Sequence, residues 1–342
     1  MPRAPERRYR GVILGAGGVA RRAHLPAFLD DPRVRQRLKI VGMVDSAADL
    51  PPVEGIPIVR SIAELPTFGH IDFVDVCTPT ASHLDLVLWS LEQGYHVLCE
   101  KPVALSAESA ARIARVAEQT KRVVMPCHQY RFNPAWQQLN QWLCADRIGA
   151  WHLAEVEVYR ATADAGLHAT GVPWRGLGRE SLGGVLLDHG THLIYQLLDV
   201  AGSPLAVSAW TRCLLHRDYD VEDTAHLILE FPERAATVLL TWAGRGRENR
   251  MRFTGPRGTI EWIGSELRLE ADDGTEHLDV TAQLDKAAYP GWFARLFVEF
   301  AAALDDGAAP RALQDIHNVA SVLESAYAAA RSGRRVVFPD AA

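Results

Sequence analysis

The sequence predicts an α/β chain: an N-terminal doubly wound parallel sheet, then an α+β domain built on a large, open, mostly antiparallel sheet. Three observations carry this. Between residues 10 and 125 short apolar runs alternate with longer helical stretches, the pattern of repeated β-α units. After Pro126 strand candidates follow one another at hairpin spacing instead. A chain of 342 residues exceeds one ordinary hydrophobic core and calls for two domains, divided here as 1–126 and 127–342.

Buried parallel strands are nearly all apolar, and Val12–Leu14, Ile40–Val44, Phe73–Cys77, Val97–Cys99 and Val123–Met125 meet that requirement. Helical stretches such as Ser82–Gln93 and Ser106–Thr120 lie between them. Beyond them, a helix rich in Trp and Gln (Pro134–Cys144) leads to Trp151–Arg160, whose alternation predicts a strand with unlike faces. Ala206–Leu215, Ala225–Phe231, Ala236–Trp242, Arg250–Thr254 and Thr259–Ile263 continue the second sheet. Ala236–Trp242 is almost wholly apolar, so both its faces are expected to be covered, one by helices and the other by a second subunit. A final amphipathic helix spans Leu313–Arg331 and ends at Gly333.

Composition excludes whole classes of function. With 48% apolar and 23% charged residues the chain folds into a globular unit, and a net charge of −6 offers no surplus to neutralise nucleic-acid phosphates. The five cysteines are scattered, without a C-x-x-C pair, as expected of buried thiols in a reducing compartment. Arg7 and Arg8 do not begin an export signal, because the apolar run behind them is broken by glycines and by Arg21 and Arg22. No run approaches the roughly eighteen apolar residues of a membrane span. A cytoplasmic protein without membrane or nucleic-acid partners is expected.

Four groups of residues carry chemistry. Gly15-Ala16-Gly17-Gly18-Val19-Ala20 is a G-x-G-x-x-A run between an apolar strand and a helix, the Rossmann dinucleotide-binding context. There Gly15 makes the turn, Gly17 admits a pyrophosphate and Ala20 packs closely. Asp45 ends the next strand, where a carboxylate binds the adenosine ribose hydroxyls and repels a 2′-phosphate, favouring NAD over NADP. Thr78, Pro79 and His83 follow one parallel strand, and Glu100 and Lys101 the next, in the crevice where ligands of such sheets bind. Lys101 stands out in a chain whose basic residues are mostly arginine, and a partly desolvated ammonium donates to a reacting oxygen; the alternative is a strand-end salt bridge with Glu100. Asp188 and His192, four residues apart, share one helix face, a pairing suited to acid/base work; taken alone it equally fits a helix cap with an incidental histidine. Two ligands with no third in view do not make a metal site.

Together these motifs resemble the glucose-fructose oxidoreductase / inositol dehydrogenase (Gfo/Idh/MocA) family over nearly the whole chain. The family's glycine fingerprint, T-P-x-x-x-H loop (Thr78, Pro79, His83), E-K-P loop (Glu100, Lys101, Pro102) and D-x-G-x-H helix (Asp188, Gly190, His192) occur in that order. Tyr130-Arg131-Phe132-Asn133-Pro134 is similar to its R-F-x-P segment, and Trp174-Arg175 stands where W-R is common. The resemblance implies a Rossmann domain holding NAD, with an open-sheet domain through which subunits pair as a homodimer or homotetramer. It also implies oxidation of a secondary hydroxyl of a sugar, nucleotide sugar or cyclitol. Lys101 would polarise the substrate oxygen, His192 serve as general acid/base and Asp188 position the substrate, with Lys101-Pro102 a candidate cis peptide. Gly18, Val19 and Gln129 join the expected cofactor contacts. Arg131, Trp174 and Arg175 are expected at the substrate; His128, Tyr289, Tyr159, Arg160 and His168 are weaker candidates for such contacts. Two alternatives stay open: an NAD-dependent glycosidase with no net redox, and a catalytically silent NAD-binding sensor.

Overall fold

The computed structural model describes residues 7–47, 49–164, 172–284 and 286–339. It divides into two compact units: residues up to Gln129 with Tyr289–His317, and Tyr130–Ala288 with Asn318 onward.

The first unit holds a six-stranded parallel sheet of β1 (Tyr9–Leu14), β2 (Leu38–Val44), β3 (Ile58–Val59), β4 (Phe73–Val76), β5 (His96–Cys99) and β6 (Val124–Pro126). The spatial order is β3-β2-β1-β4-β5-β6, the doubly wound arrangement, with its reversal between β1 and β4. All four residues of β4 are buried, Asp75 included, as a strand covered on both faces requires. Local chemistry sets the helix ends. Ser106 accepts the Ser109 N–H at the start of Ala107–Thr120. Asp31 caps Pro32–Arg37, whose first residue is a proline that has no N–H to lose.

The division at residue 126 assigned everything beyond it to the second domain, whereas the helix Tyr289–Asp306 belongs to the first unit. Burial of aromatic surface is the reason. Phe297 stacks on Phe28 at 4.2 Å between centroids, and Phe300 meets Phe73 edge-on at 5.4 Å.

His96 supplies a pH-dependent element. Its Nδ1 accepts the Val123 N–H at 3.0 Å, which only the neutral ring can do. Burial, aided by Arg122, lowers its pKa to about 4. The depressed pKa means that its contribution is complete above the ordinary value of 6.5 and is lost as pH falls from there toward 4. The thermal midpoint is expected to fall over that window, and His96→Gln to flatten the fall; equal slopes for both proteins would exclude His96 as the cause.

The second unit holds a nine-stranded sheet formed by β7 (Leu153–Tyr159), β8 (Ala206–Arg212), β9 (Thr224–Phe231), β10 (Arg234–Thr241), β11 (Glu248–Gly255), β12 (Gly258–Ile263), β13 (Glu266–Ala271), β14 (Gly274–Asp279) and β15 (Val336–Val337). The order is β14-β13-β12-β11-β7-β10-β9-β8-β15, antiparallel throughout except for the parallel β7–β10 pair. Within β10, Ala236, Val238 and Leu240 are buried while Ala235, Thr237 and Leu239 stay half-exposed. One face of that strand is therefore covered within the chain, and the half-exposed face is the one expected to meet a second subunit. The opposite face carries register-matched charges, with Glu155 opposite Arg252, Arg252 opposite Glu261 and Glu261 opposite Arg268, a cross-strand ladder of alternating sign. Toward its other end the exposed apolar side chains include Trp210 and Ile228.

Candidate active site

At the carboxyl ends of β1 and β4 the chain makes the tight turn the glycines foretold. Gly15 has φ +97°, and a Cβ there would lie 2.8 Å from the Cys77 backbone, so only glycine fits. Its N–H donates to Val44 and the Cys77 N–H to Leu14, which sets the loop across three strand ends. Gly17 has a backbone conformation open to other residues, and a Cβ would meet nothing within 4 Å. Asp45 is half-buried at the end of β2, where its Oδ2 accepts the Ala16 N–H at 2.7 Å and its Oδ1 the Ala47 N–H at 2.9 Å. A π-helical turn, Ala20–His24, follows the glycine loop and continues into the helix Leu25–Asp30.

The two loops after β4 and β5 are tied together by His83. Its ring nitrogens lie 2.8 Å from the carbonyl oxygens of Pro102 and Thr78. His83, expected at the cofactor, is buried between these two carbonyls as a brace between the loops; burial lowers its pKa, so the neutral ring donates to one of them at a time. Pro79 is exposed, Thr78 and Lys101 are half-buried, and the Thr78 hydroxyl accepts from Ser82 at 2.7 Å. The Lys101–Pro102 peptide bond is cis. Glu100 is buried, with Oε2 accepting the Lys101 N–H at 3.2 Å and Oε1 facing His24 Nε2 at 3.0 Å. Gln129 is also buried, and its Oε1 has no hydrogen-bond partner among the described residues.

In the second unit Asp188 and His192 lie on a segment that opens as a π-helical turn, Leu186–Gly190, and becomes the α-helix Thr191–Ala201. Its start is held by Glu222, whose main-chain oxygen accepts the Val185 N–H at 3.0 Å and whose Oε1 accepts the Leu186 N–H at 3.2 Å and the Tyr327 hydroxyl at 2.8 Å. The carboxylate thus meets orphan donors at a helix start. Gly184 is required there, because a Cβ would stand 1.9 Å from the Glu222 main-chain oxygen.

His192 is nearly buried, and its Nδ1 lies 3.0 Å from the Tyr195 hydroxyl, which also accepts the Tyr130 N–H at 3.1 Å. The Tyr130 ring covers the imidazole at 4.2 Å. Asp188 pairs with Arg175 at 3.4 Å and with His189 at 3.4 Å, and Arg175 lies over the Trp174 ring at 4.4 Å. Arg131, expected at the substrate, directs its guanidinium to Asp199 in a two-pronged pair of 2.7 and 2.8 Å and stacks over Tyr195. It therefore buttresses the partner of His192. Arg160 is buried, donating to the Tyr159 and Glu248 carbonyls, while Tyr289 opens a helix with its ring 4.5 Å from Trp292. His168 lies outside the described residues.

Comparison with known proteins decides the family. Residues 9–128 match the oxidoreductase family with an NAD-binding Rossmann fold, and residues 136–261 match the GFO/IDH/MocA C-terminal domain. The chain belongs to the Gfo/Idh/MocA family. It is 32% identical over 217 residues to D-glucoside 3-dehydrogenase of Escherichia coli, covering 58% of this chain and 56% of that protein's own length. To D-apiose dehydrogenase of Paraburkholderia graminis it is 25% identical over 352 residues, covering 96% and 90% of the two chains. The crystal structure of the WlbA dehydrogenase from Bordetella pertussis, in complex with NADH and UDP-GlcNAcA, shares the fold at a TM-score of 0.81 and 20% identity, covering 98% and 99%.

The first unit of this Gfo/Idh/MocA member is thus an NAD-binding domain, and its residues fit the dinucleotide. Open space stands over Gly17 where a pyrophosphate approaches, and Asp45 keeps lone pairs beyond its two backbone bonds. Sequence reasoning missed Arg22, whose guanidinium lies against Gly18 and adds positive charge to the glycine loop. It also missed Arg60, which the fold brings from thirteen residues away to the Ala47 carbonyl beside Asp45. Tyr195 was missed too, although its i+3 spacing from His192 was a usable signal. Among the described residues no helix is long and apolar enough to cross a membrane.

Proposed function

We propose that the protein reversibly oxidises a secondary hydroxyl of a sugar, nucleotide sugar or cyclitol to the ketone, with NAD as redox partner. The observation that carries this reading is the setting of His192. With the Tyr195 oxygen receiving the Nδ1 proton, the ring's basic lone pair sits on Nε2, the nitrogen that would take the proton of an alcohol. The ammonium of Lys101, on the loop braced by His83, would stabilise negative charge growing on a substrate oxygen. Asp188 and Arg175 offer an acceptor and donors for neighbouring hydroxyls. NAD, when bound, supplies the acceptor for the hydride leaving the carbinol carbon. Asp45 selects it over NADP by accepting from the ribose hydroxyls. Subunits pair through the open face of the nine-stranded sheet as a homodimer or homotetramer.

The reading is tested by absorbance at the reduced-nicotinamide band while protein and NAD meet a panel of inositols, aldoses, aminosugars and UDP-sugars. A substrate-dependent rise is expected. A flat trace with NAD shown to bind would overturn the dehydrogenase and turn attention to glycoside cleavage without net redox, or to a sensor.

Tyr195→Phe tests the role of His192. Losing one hydrogen bond to a charged ring is worth about 1.5 kcal/mol, so kcat should fall about tenfold and its pH profile shift. An unchanged profile would remove Tyr195 from the mechanism.

A further inference from the structure

A cluster of titratable groups lies in the first unit, at the carboxyl ends of the parallel strands. His24, at the end of the π-helical turn that follows the glycine loop, is fully buried. Its Nδ1 is 2.7 Å from Asp75 Oδ2 and its Nε2 is 3.0 Å from Glu100 Oε1. The groups facing it come from every neighbouring element: Asp75 on β4 and Cys77 after it, Glu100 after β5, Cys127 after β6, and Phe293 and Phe297 on the helix Tyr289–Asp306. His24, Asp75 and Cys127 have the composition of a metal site, with ligand atoms within 4.8 Å of one another. Both ring nitrogens already face carboxylate oxygens, however, so an ion would first have to displace one of them.

An ionised carboxylate only accepts, so two such contacts call for a proton on each ring nitrogen. The surroundings agree. Burial keeps Cys77 and Cys127 as thiols, and Cys77 donates to the second oxygen of Asp75 at 3.6 Å. Burial raises the Glu100 pKa, but the bond and charge of His24, the Lys101 charge and the Lys101 N–H together outweigh it and leave the pKa lowered. Burial likewise opposes a charge on His24, and the facing Asp75 together with Cys77 reverses the balance and raises its pKa well above 6.5. The Phe293 ring, 4.3 Å away, offers a π face to the cation. The second oxygen of Glu100 accepts the Lys101 N–H, so one chain of bonds runs from the helix after the glycine loop to the lysine loop.

We propose that His24 is a positioning residue: a buried imidazolium, clamped between Asp75 and Glu100, that holds the loop carrying Lys101 in register with the glycine loop. The consequence for turnover rests on the dehydrogenase reading above. The clamp itself does not, and its test is independent of substrate.

The test is heteronuclear NMR of the full-length protein labelled with 15N in histidine and lysine, with NAD present. Both ring nitrogens of His24, assigned by loss of the signals in His24→Asn, are expected to stay protonated from pH 6 to pH 9. A neutral ring at pH 7 would overturn the proposal. In His24→Asn the Lys101 amide resonance should move and its hydrogen exchange accelerate at least about tenfold; an unmoved, equally protected amide would show that the ring does not hold this loop. Should that variant fail to fold, Asp75→Asn leaves one carboxylate at the ring, and the ring should then lose its proton at a pH at least about one unit lower. Given a turning-over substrate, the same variant should carry that shift into kcat, with KM little changed. If the panel yields no turnover while the NMR results hold, the clamp stands and only the dehydrogenase reading falls.

Discussion

Lys101→Ala is expected to lower kcat at least about a hundredfold while leaving NAD affinity within about threefold. A hundredfold loss corresponds to about 2.7 kcal/mol of transition-state stabilisation, the order supplied by one well-placed cation beside a developing oxyanion. The ammonium is the group concerned, because the backbone N–H of residue 101 still reaches Glu100 and the loop remains braced by His83. Lys101→Arg should recover little, since a planar fork does not replace a compact point charge. Stopped-flow turnover and calorimetric titration with NAD separate the two quantities. Near-normal kcat in the alanine variant would sink the assigned role, and parallel loss of NAD binding would show that the lysine serves the cofactor site instead.

Gly17→Val is expected to weaken NAD binding about a hundredfold without unfolding the protein. The two sides of this prediction come from two glycines of one loop. At Gly17 the backbone suits any residue and an added Cβ meets nothing within 4 Å, so valine is expected to be tolerated by the fold while standing where the pyrophosphate is expected to approach. At Gly15 the positive φ and the 2.8 Å approach to the Cys77 backbone make alanine a folding defect. Thermal melting should therefore separate the variants: Gly17→Val close to the unaltered protein until NAD is added, Gly15→Ala lower with or without it. Undiminished stabilisation of Gly17→Val by NAD would mean that the dinucleotide does not cross this loop.

Much of this site was legible along the chain. The apolar runs Val12–Leu14, Ile40–Val44 and Phe73–Cys77 foretell β1, β2 and β4, because strands covered on both faces admit few polar side chains. The strands that escaped notice lack that signature: every residue of β14 is exposed, β13 alternates buried Leu267 and Leu269 with charged residues, and β3 and β15 are two residues long. The helix Tyr289–Asp306 was not assigned by pattern, and its place in the first unit depends on three phenylalanines finding Phe28, Phe73 and His24 far back in the sequence.

By itself the sequence determined the two-part plan, the glycine loop with Asp45, and the order in which Lys101, Asp188 and His192 appear. These follow from composition, periodicity and turn chemistry, all of which act over a few neighbouring residues. Only the tertiary structure decided what each side chain is committed to. His83 braces two loops, Arg131, held by Asp199, supports Tyr195, Tyr195 orients His192, and His24 joins Asp75 to Glu100. The physical reason lies in how a parallel sheet is wound. Its crossovers bring the carboxyl ends of distant strands side by side, and once water is excluded there each polar atom must take the partner the packing presents.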